Sequence, residues 1–157
     1  MATLNVQGGA LAITDGTLSN SALSSNANIS ETKLQHRYNI PYYQTTATTV
    51  AAQTAPIYRA YRGGNILSVT VTPHTIPTSG TYTVDVQKAA NGGSYATILT
   101  AVVTVNPSPS ANNTDQPGPL ATTTYSAGDK FRVVVAISSP ANSAGVTVML
   151  ALSEDPQ

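Results

Sequence analysis

The chain has 157 residues, seven basic and seven acidic side chains, and no cysteine, which fits one domain burying about two-thirds of its unfolded surface without staples. Absence of cysteine excludes disulfides, thiolate metal sites and a cysteine nucleophile. Charged residues make up only 9% against roughly 25% in ordinary domains, so this neutral surface offers no general attraction for nucleic acid or anionic membrane and little repulsion between copies.

Met1 to Gln7 has neither a basic start nor an apolar core segment, and no run of about 18 apolar residues follows. The expectation is synthesis in the cytoplasm, with no membrane partner. Up to about residue 35, Gly8, Gly9, Gly16, Ser19, Asn20, Ser24, Ser25, Asn26 and Asn28 punctuate short apolar pieces such as Leu11-Ala12-Ile13. Too few large apolar residues are present for an independent core. The segment reads as an extended arm ordered by lying on something else, or as a flexible tail. Asn28-Ile29-Ser30 and Asn112-Asn113-Thr114 match the glycosylation pattern, but chance explains them in a chain so rich in these residues.

Leu34, His36, Tyr38 and Ile40 alternate with Gln35, Arg37 and Asn39, the period of a strand with one buried face. Pro41 cannot donate to a ladder and places the piece at a strand end or a sheet edge. With Tyr42 and Tyr43 the segment holds three of the eight tyrosines. Tyrosine suits an interface, and equally it can cap the rim of a core. The division expected is an arm and docking strand over residues 1–44 and a β-sandwich over 45–157.

A strand is expected within Thr45–Gln53, and Ile57–Arg62 follows Pro56 and stops at Gly63-Gly64. Leu67, Val69 and Val71 alternate to Pro73. A turn at Thr78-Ser79-Gly80 leads to Tyr82, Val84 and Val86, and Ala89–Gly93 is the next turn. Tyr95–Val105 suits one bent strand or two short ones. The stretch from Pro107 to Pro119 reads as a loop, and Leu120–Tyr125 as a short edge strand. After the turn Ser126-Ala127-Gly128-Asp129, two runs share the strand period: Phe131, Val133, Val135, Ile137 and Val146, Val148, Leu150, Leu152. The eight residues between them are turn formers, which predicts a hairpin with a long loop. Seven or eight short strands without helical period predict an all-β fold, an antiparallel, jelly-roll-like sandwich.

Chemistry is sparse. His36 and His74 are the only histidines, and no acidic pair stands at ligand spacing with them. His74 reads as a solvated turn residue, Asp85 as a solvated residue on a polar strand face, and Asp129 as a turn-shaping residue. No Gly-x-Ser-x-Gly elbow, phosphate loop or dinucleotide fingerprint is present. The expectation is no enzyme, no metal and no cofactor. Tyr58 and Tyr61, if exposed on a sheet face, keep glycan binding open.

Gly80–Lys88, with Gly92-Gly93-Ser94-Tyr95 and Ile98-Leu99, resembles the strand pairs of small jelly-roll proteins from tailed-phage virions, and Tyr125–Val135 has the same character. Ala27–Leu34 looks like the linkers that precede such domains in head-decoration and fibre proteins. The resemblance implies a virion-surface protein, often trimeric, that clamps neighbouring major capsid subunits without catalytic residues. A capsid decoration protein is therefore expected, self-associating through a Thr/Tyr-rich sheet face. Its candidate capsid or subunit interface comprises Ile29, Leu34, His36, Arg37, Tyr38, Ile40, Tyr42 and Tyr43. The alternative is a fibre or adhesin domain that binds host glycans.

Overall fold

The structure, a computed structural model, describes residues 36–107, 114–138 and 142–155. Among them there are ten strands and no helix. One sheet runs in the order β1 (Arg37–Thr49), β10 (Ala144–Glu154), β3 (Gly64–Pro73), β7 (Gln116–Gly118), and β8 (Thr124–Tyr125) also pairs with β3. The other runs β2 (Gln53–Arg59), β9 (Lys130–Ile137), β4 (Tyr82–Ala89), β5 (Ala96–Thr97), and β6 (Val103–Val105) also pairs with β4.

The order follows from one operation on the chain. β1 pairs with β10, β2 with β9, β3 with β7 and β8, and β4 with β5 and β6, all antiparallel. That is a long folded ribbon. Rolling it lays β10 against β3 and β9 against β4, giving two sheets face to face. This is jelly-roll topology, as the strand count and alternation predicted.

The two runs at 131–152 do not form a hairpin. β9 belongs to one sheet and β10 to the other, so their apolar faces oppose each other across the core instead of lying side by side. Phe131, Val133 and Val135 meet Val146, Val148, Leu150 and Leu152 in the buried cluster, together with Val69, Val71, Tyr82, Val84 and Val86. Each such side chain stabilises by about 1.5–3 kcal/mol. β9 ends at Ile137 and β10 begins at Ala144 in the other sheet, so six residues separate two strands whose sheets stack about 10 Å apart.

Three local expectations change. The strand that starts before Pro41 does not stop there but runs 13 residues to Thr49, and the turn falls at buried Val50, whose N–H donates to the Ser143 carbonyl at 2.8 Å. The Glu154 N–H donates to the His36 carbonyl at 2.8 Å. In an antiparallel ladder this sets the phase: even-numbered residues of β1 bond to β10, and odd-numbered ones face the free edge. Pro41 is odd, so no ladder bond is lost, and the expected edge position holds. Secondly, Leu67 is 43% exposed. A register shift between Ala151 and Leu152 turns Ile66 inward in its place. Thirdly, Gln116–Gly118, expected in a loop, pairs with Val69–Val71. A Cβ on Gly118 would lie 3.1 Å from side-chain atoms of Leu99 and Val69, so glycine allows this close approach.

Candidate interaction surface

Strand alternation sorts the expected site residues into two sets. Ile29 and Leu34 lie outside the described residues. Tyr38 and Ile40 are half-buried and Tyr42 is buried, all packed on the core. His36, Arg37 and Tyr43 are exposed, Tyr43 to 73%. The position between residues 44 and 45 falls within β1.

The inward tyrosines tie the two sheets together. The Tyr38 hydroxyl lies 2.7 Å from that of Tyr58 and 3.1 Å from that of Tyr125, and donates to Glu154 Oε1 at 3.1 Å. Tyr125 donates to the Ser153 carbonyl at 3.0 Å. Its ring meets Phe131 edge-on at 5.7 Å, a favourable aromatic geometry. Burial pushes the Tyr38 phenol well above its ordinary range, assisted by the hydrogen bonds to Tyr125 and Tyr58. Burial likewise raises Tyr125. Tyr38 and Tyr125 therefore stay protonated. Further along, Tyr42 donates to Gln53 Oε1 at 2.7 Å. The Gln44 amide meets both the carbonyl and the N–H of Ala51, each at 2.8 Å, bracing the turn between β1 and β2.

The outward residues of β1 continue across its sheet. Ladder pairing sets Pro41 beside Met149, Met149 beside Thr70, and Thr70 beside Pro117. The neighbouring row runs Tyr43, Thr147, Thr72, and Thr72 donates to Asp115 Oδ1 at 2.5 Å. His74 is half-buried, its Nε2 3.0 Å from Thr147 Oγ1, instead of solvated in its turn. Arg37 and Asp115 stand at the margins. Between them the described face consists of Thr, Ser, Pro, Met, Ala, Asn and Tyr, with no charge.

The outer face of the other sheet differs. Asp85 is only 9% exposed and is not the solvated residue its polar position suggests. Its carboxylate accepts from Thr97 Oγ1 at 2.5 Å and Gln87 Nε2 at 2.8 Å. Gln87 Oε1 accepts from Arg132 Nε at 2.8 Å, and the Arg132 guanidinium lies 4.0 Å from the Tyr95 ring centroid, within cation–π range. Long neighbours thus cover the charge on a face with one sheet beneath it. At the sandwich end, Asp129 shapes its turn as expected. Its Oδ2 accepts from the Ser126 N–H at 3.0 Å and pairs with Lys88 Nζ at 2.9 Å, and Gly128 takes the left-handed φ of 89° that the turn needs.

Among the described residues no group of three or more His, Asp or Glu is arranged to hold a metal ion. The buried acids are already engaged by Lys88, Ser126, Thr97 and Gln87. What remains uncommitted is the neutral outer face of β1, β10, β3 and β7. Met149, Thr147, Thr70 and Pro117 were missed as members of that face. Alternation identifies the outward residues of each strand, but only the register reveals which of them become neighbours.

The arrangement defines an all-β jelly-roll sandwich with a neutral outer face. No family model and no curated protein matches the chain. Among solved structures, a chain in the capsid asymmetric unit of cyanophage Pam1 is 16% identical, with a TM-score of 0.46, covering 89% of this chain and 99% of that one. A chain of infectious bursal disease virus, Gt strain, is 14% identical, with a TM-score of 0.35, covering 94% and 38%. The D431N mutant VP2 protein of that virus, from derived T=1 particles, is 15% identical, with a TM-score of 0.31, covering 93% and 40%.

Proposed function

We propose that the protein is a non-enzymatic structural component of a virion, a decoration or cement protein. It binds the outer surface of a phage head as a homotrimer and stabilises contacts between major capsid protein subunits. The observation that carries this reading is the uncharged outer face of β1, β10, β3 and β7, with Tyr43 standing 73% exposed at its edge. A hydrogen-bonded sheet surface bearing Thr, Pro, Met and Tyr gives up little hydration when covered, and aromatic residues and Met are enriched at interfaces. The acids of the other face and of the turns are occupied within the fold, which leaves contact with partners as the use of this surface. Its outward margin contains Arg37 and Tyr43, with His36 beside it. Several equivalent contacts per trimer multiply through effective concentration.

For the glycan alternative, Tyr58 turns into the hydroxyl hub while Tyr61 is 82% exposed on the following turn. They do not form one stacking platform.

The test is binding to purified expanded capsids that lack the protein. Thr70→Lys puts an ammonium at the centre of the face and is expected to abolish capsid binding. Ala136→Lys, exposed on the other sheet, is expected to leave it intact. Wild-type binding by Thr70→Lys would refute the assignment of the face, and specific hits on a glycan array lost with Tyr61→Ala would favour the adhesin reading.

A further inference from the structure

The sandwich closes unevenly along one side. There β1 is the edge of one sheet and β2 the edge of the other, and they approach each other. Tyr38, Ile40, Ala55, Ile57 and Tyr58 pack on the core along this side yet are only partly buried. One strand further in, Leu150, Leu152, Phe131 and Val133 are fully sealed. The apolar seam between the edges is incompletely covered. Beside it, the N–H groups of Arg37, Asn39 and Tyr43 face the free edge of β1, by the ladder phase set at His36 and Glu154. Among the described residues no strand pairs with that edge. The first 35 residues, which lie outside the described part, precede His36 directly, so the chain arrives at the seam itself.

We propose that this seam docks the protein's own N-terminal segment, with Ala10–Thr14 laid antiparallel along the free edge of β1. A strand added there must set its inward side chains opposite Tyr38, Ile40 and Tyr42, since directly paired residues share a face. The run Ser24-Ser25-Asn26-Ala27-Asn28 offers a reversal. Centred between Asn26 and Ala27, it brings Ile13 opposite Ile40 and Leu11 opposite Tyr42, because the paired residues are equally distant from that point. A slip of one residue would turn both apolar side chains to solvent. Pro41 removes one donor from the new ladder, but its carbonyl still accepts from the residue opposite. The tether favours the chain's own segment over a neighbour's, with an effective concentration on the order of millimolar. This inference goes beyond the decoration reading and does not depend on it.

The chain has no cysteine, so a disulfide reports the register cleanly. Residues 13 and 40 would form a non-hydrogen-bonded pair with Cα atoms about 4.5 Å apart, inside disulfide reach. In the full chain, Ile13→Cys with Ile40→Cys is expected to oxidise within one molecule, about tenfold or more faster than Ala12→Cys with Ile40→Cys, whose first cysteine points away. Equal rates, no cross-link, or cross-links only between copies when the single variants are mixed would overturn the proposal. Amide exchange in the unsubstituted protein is an independent check. The Asn39 and Tyr43 amides are expected to exchange about tenfold or more slowly than open amides, and to lose that protection in Leu11→Ser with Ile13→Ser. Open exchange at both amides in the unsubstituted protein would sink the idea.

Discussion

Replacing Asp129 isolates the electrostatic latch at the end of the sandwich. Its Oδ2 accepts from the Ser126 N–H at 3.0 Å and from Lys88 Nζ at 2.9 Å, with side-chain exposures of 5% for Asp129 and 24% for Lys88. Asp129→Ala removes two charge-assisted bonds, and hydrogen bonds to charged groups contribute roughly 1.5–3 kcal/mol each. Lys88 keeps its bond to the Thr124 carbonyl and some access to water, so the loss falls short of the 3–5 kcal/mol typical of breaking a fully buried pair. The expected destabilisation is about 2–3 kcal/mol, or roughly 4–12 °C in Tm for a domain of this size. Asp129→Asn keeps an acceptor for Ser126 and should lose about half as much. The pH dependence follows from the carboxyl's shift. Burial pushes it up, but the Ser126 N–H and the Lys88 ammonium outweigh burial and hold it below its ordinary 3.8. A carboxyl depressed by folding contributes stability above its unfolded value and loses it as pH falls through the folded one. In urea titrations the gap between the unsubstituted protein and Asp129→Asn should stay constant from neutral pH to about 5 and shrink below about 4. A gap under about 0.5 kcal/mol at pH 7, within the range of ordinary surface substitutions, would refute the latch. So would a gap that widens in acid.

Gly64→Ala would place a Cβ 1.9 Å from the Ser153 carbonyl oxygen and 2.8 Å from the Tyr125 hydroxyl. β3 must then move off β10, and urea unfolding should show a loss of about 3 kcal/mol or more. Tyr38→Phe removes the hydroxyl shared by Tyr58, Tyr125 and Glu154. Tyr125 keeps the Ser153 carbonyl, so calorimetry should find a loss of only about 1 kcal/mol. Leu150→Ala leaves a cavity in the most deeply buried row and should cost about 2–5 kcal/mol by denaturant titration.

The sandwich was legible because alternation is a local signal. Val133, Val135, Val148 and Leu150 announce a buried face wherever their strands end up. Which strand lies beside which was not legible, and the 131–152 pair shows why. Two adjacent alternating runs bury the same faces whether they pair in one sheet or oppose each other in two. Only the length of the gap leaned towards crossing. Asp85 failed for a related reason. Its outward position was correctly read, but its burial is created by Gln87, Thr97 and Arg132, and two of these come from other strands. Within the candidate interface, alternation separated Tyr38, Ile40 and Tyr42 from Arg37 and Tyr43. The composition of the tyrosine cluster by itself favoured neither rim capping nor contact with a partner, because tyrosine serves both. The partners of Tyr43 on its own face, Thr147 and Thr72, sit far along the chain and become neighbours only through the register.

The two outer faces carry opposite solutions to the same problem. A sandwich has two surfaces that no core covers, and edges that invite pairing with other chains. On the β2, β9, β4 face, Asp85, Gln87, Arg132 and Tyr95 engage one another, so covering that face with a partner would bring little new bonding and would strip water from charged groups. Both edge strands on the open side contain a proline, Pro41 in β1 and Pro56 in β2, which limits continuous pairing by foreign strands. Among the described residues, the outer face of β1, β10, β3 and β7 carries side-chain bonds across its central rows only at one end, from Thr72 to Asp115 and between Thr147 and His74. Its threonines and Met149 are half-buried and uncharged, so contact there displaces water without stranding a charge. In the proposed decoration role this asymmetry favours the uncharged face for partners, without any charged anchor. Binding through such a face should depend weakly on salt, because little of it is Coulombic. Raising the salt in the capsid-binding assay from about 0.1 M to 1 M, which cuts the Debye length from about 10 Å to 3 Å, should change the affinity by less than threefold. A steep loss would mean that charges elsewhere, such as Arg37, Arg59 or Lys130, carry the contact instead.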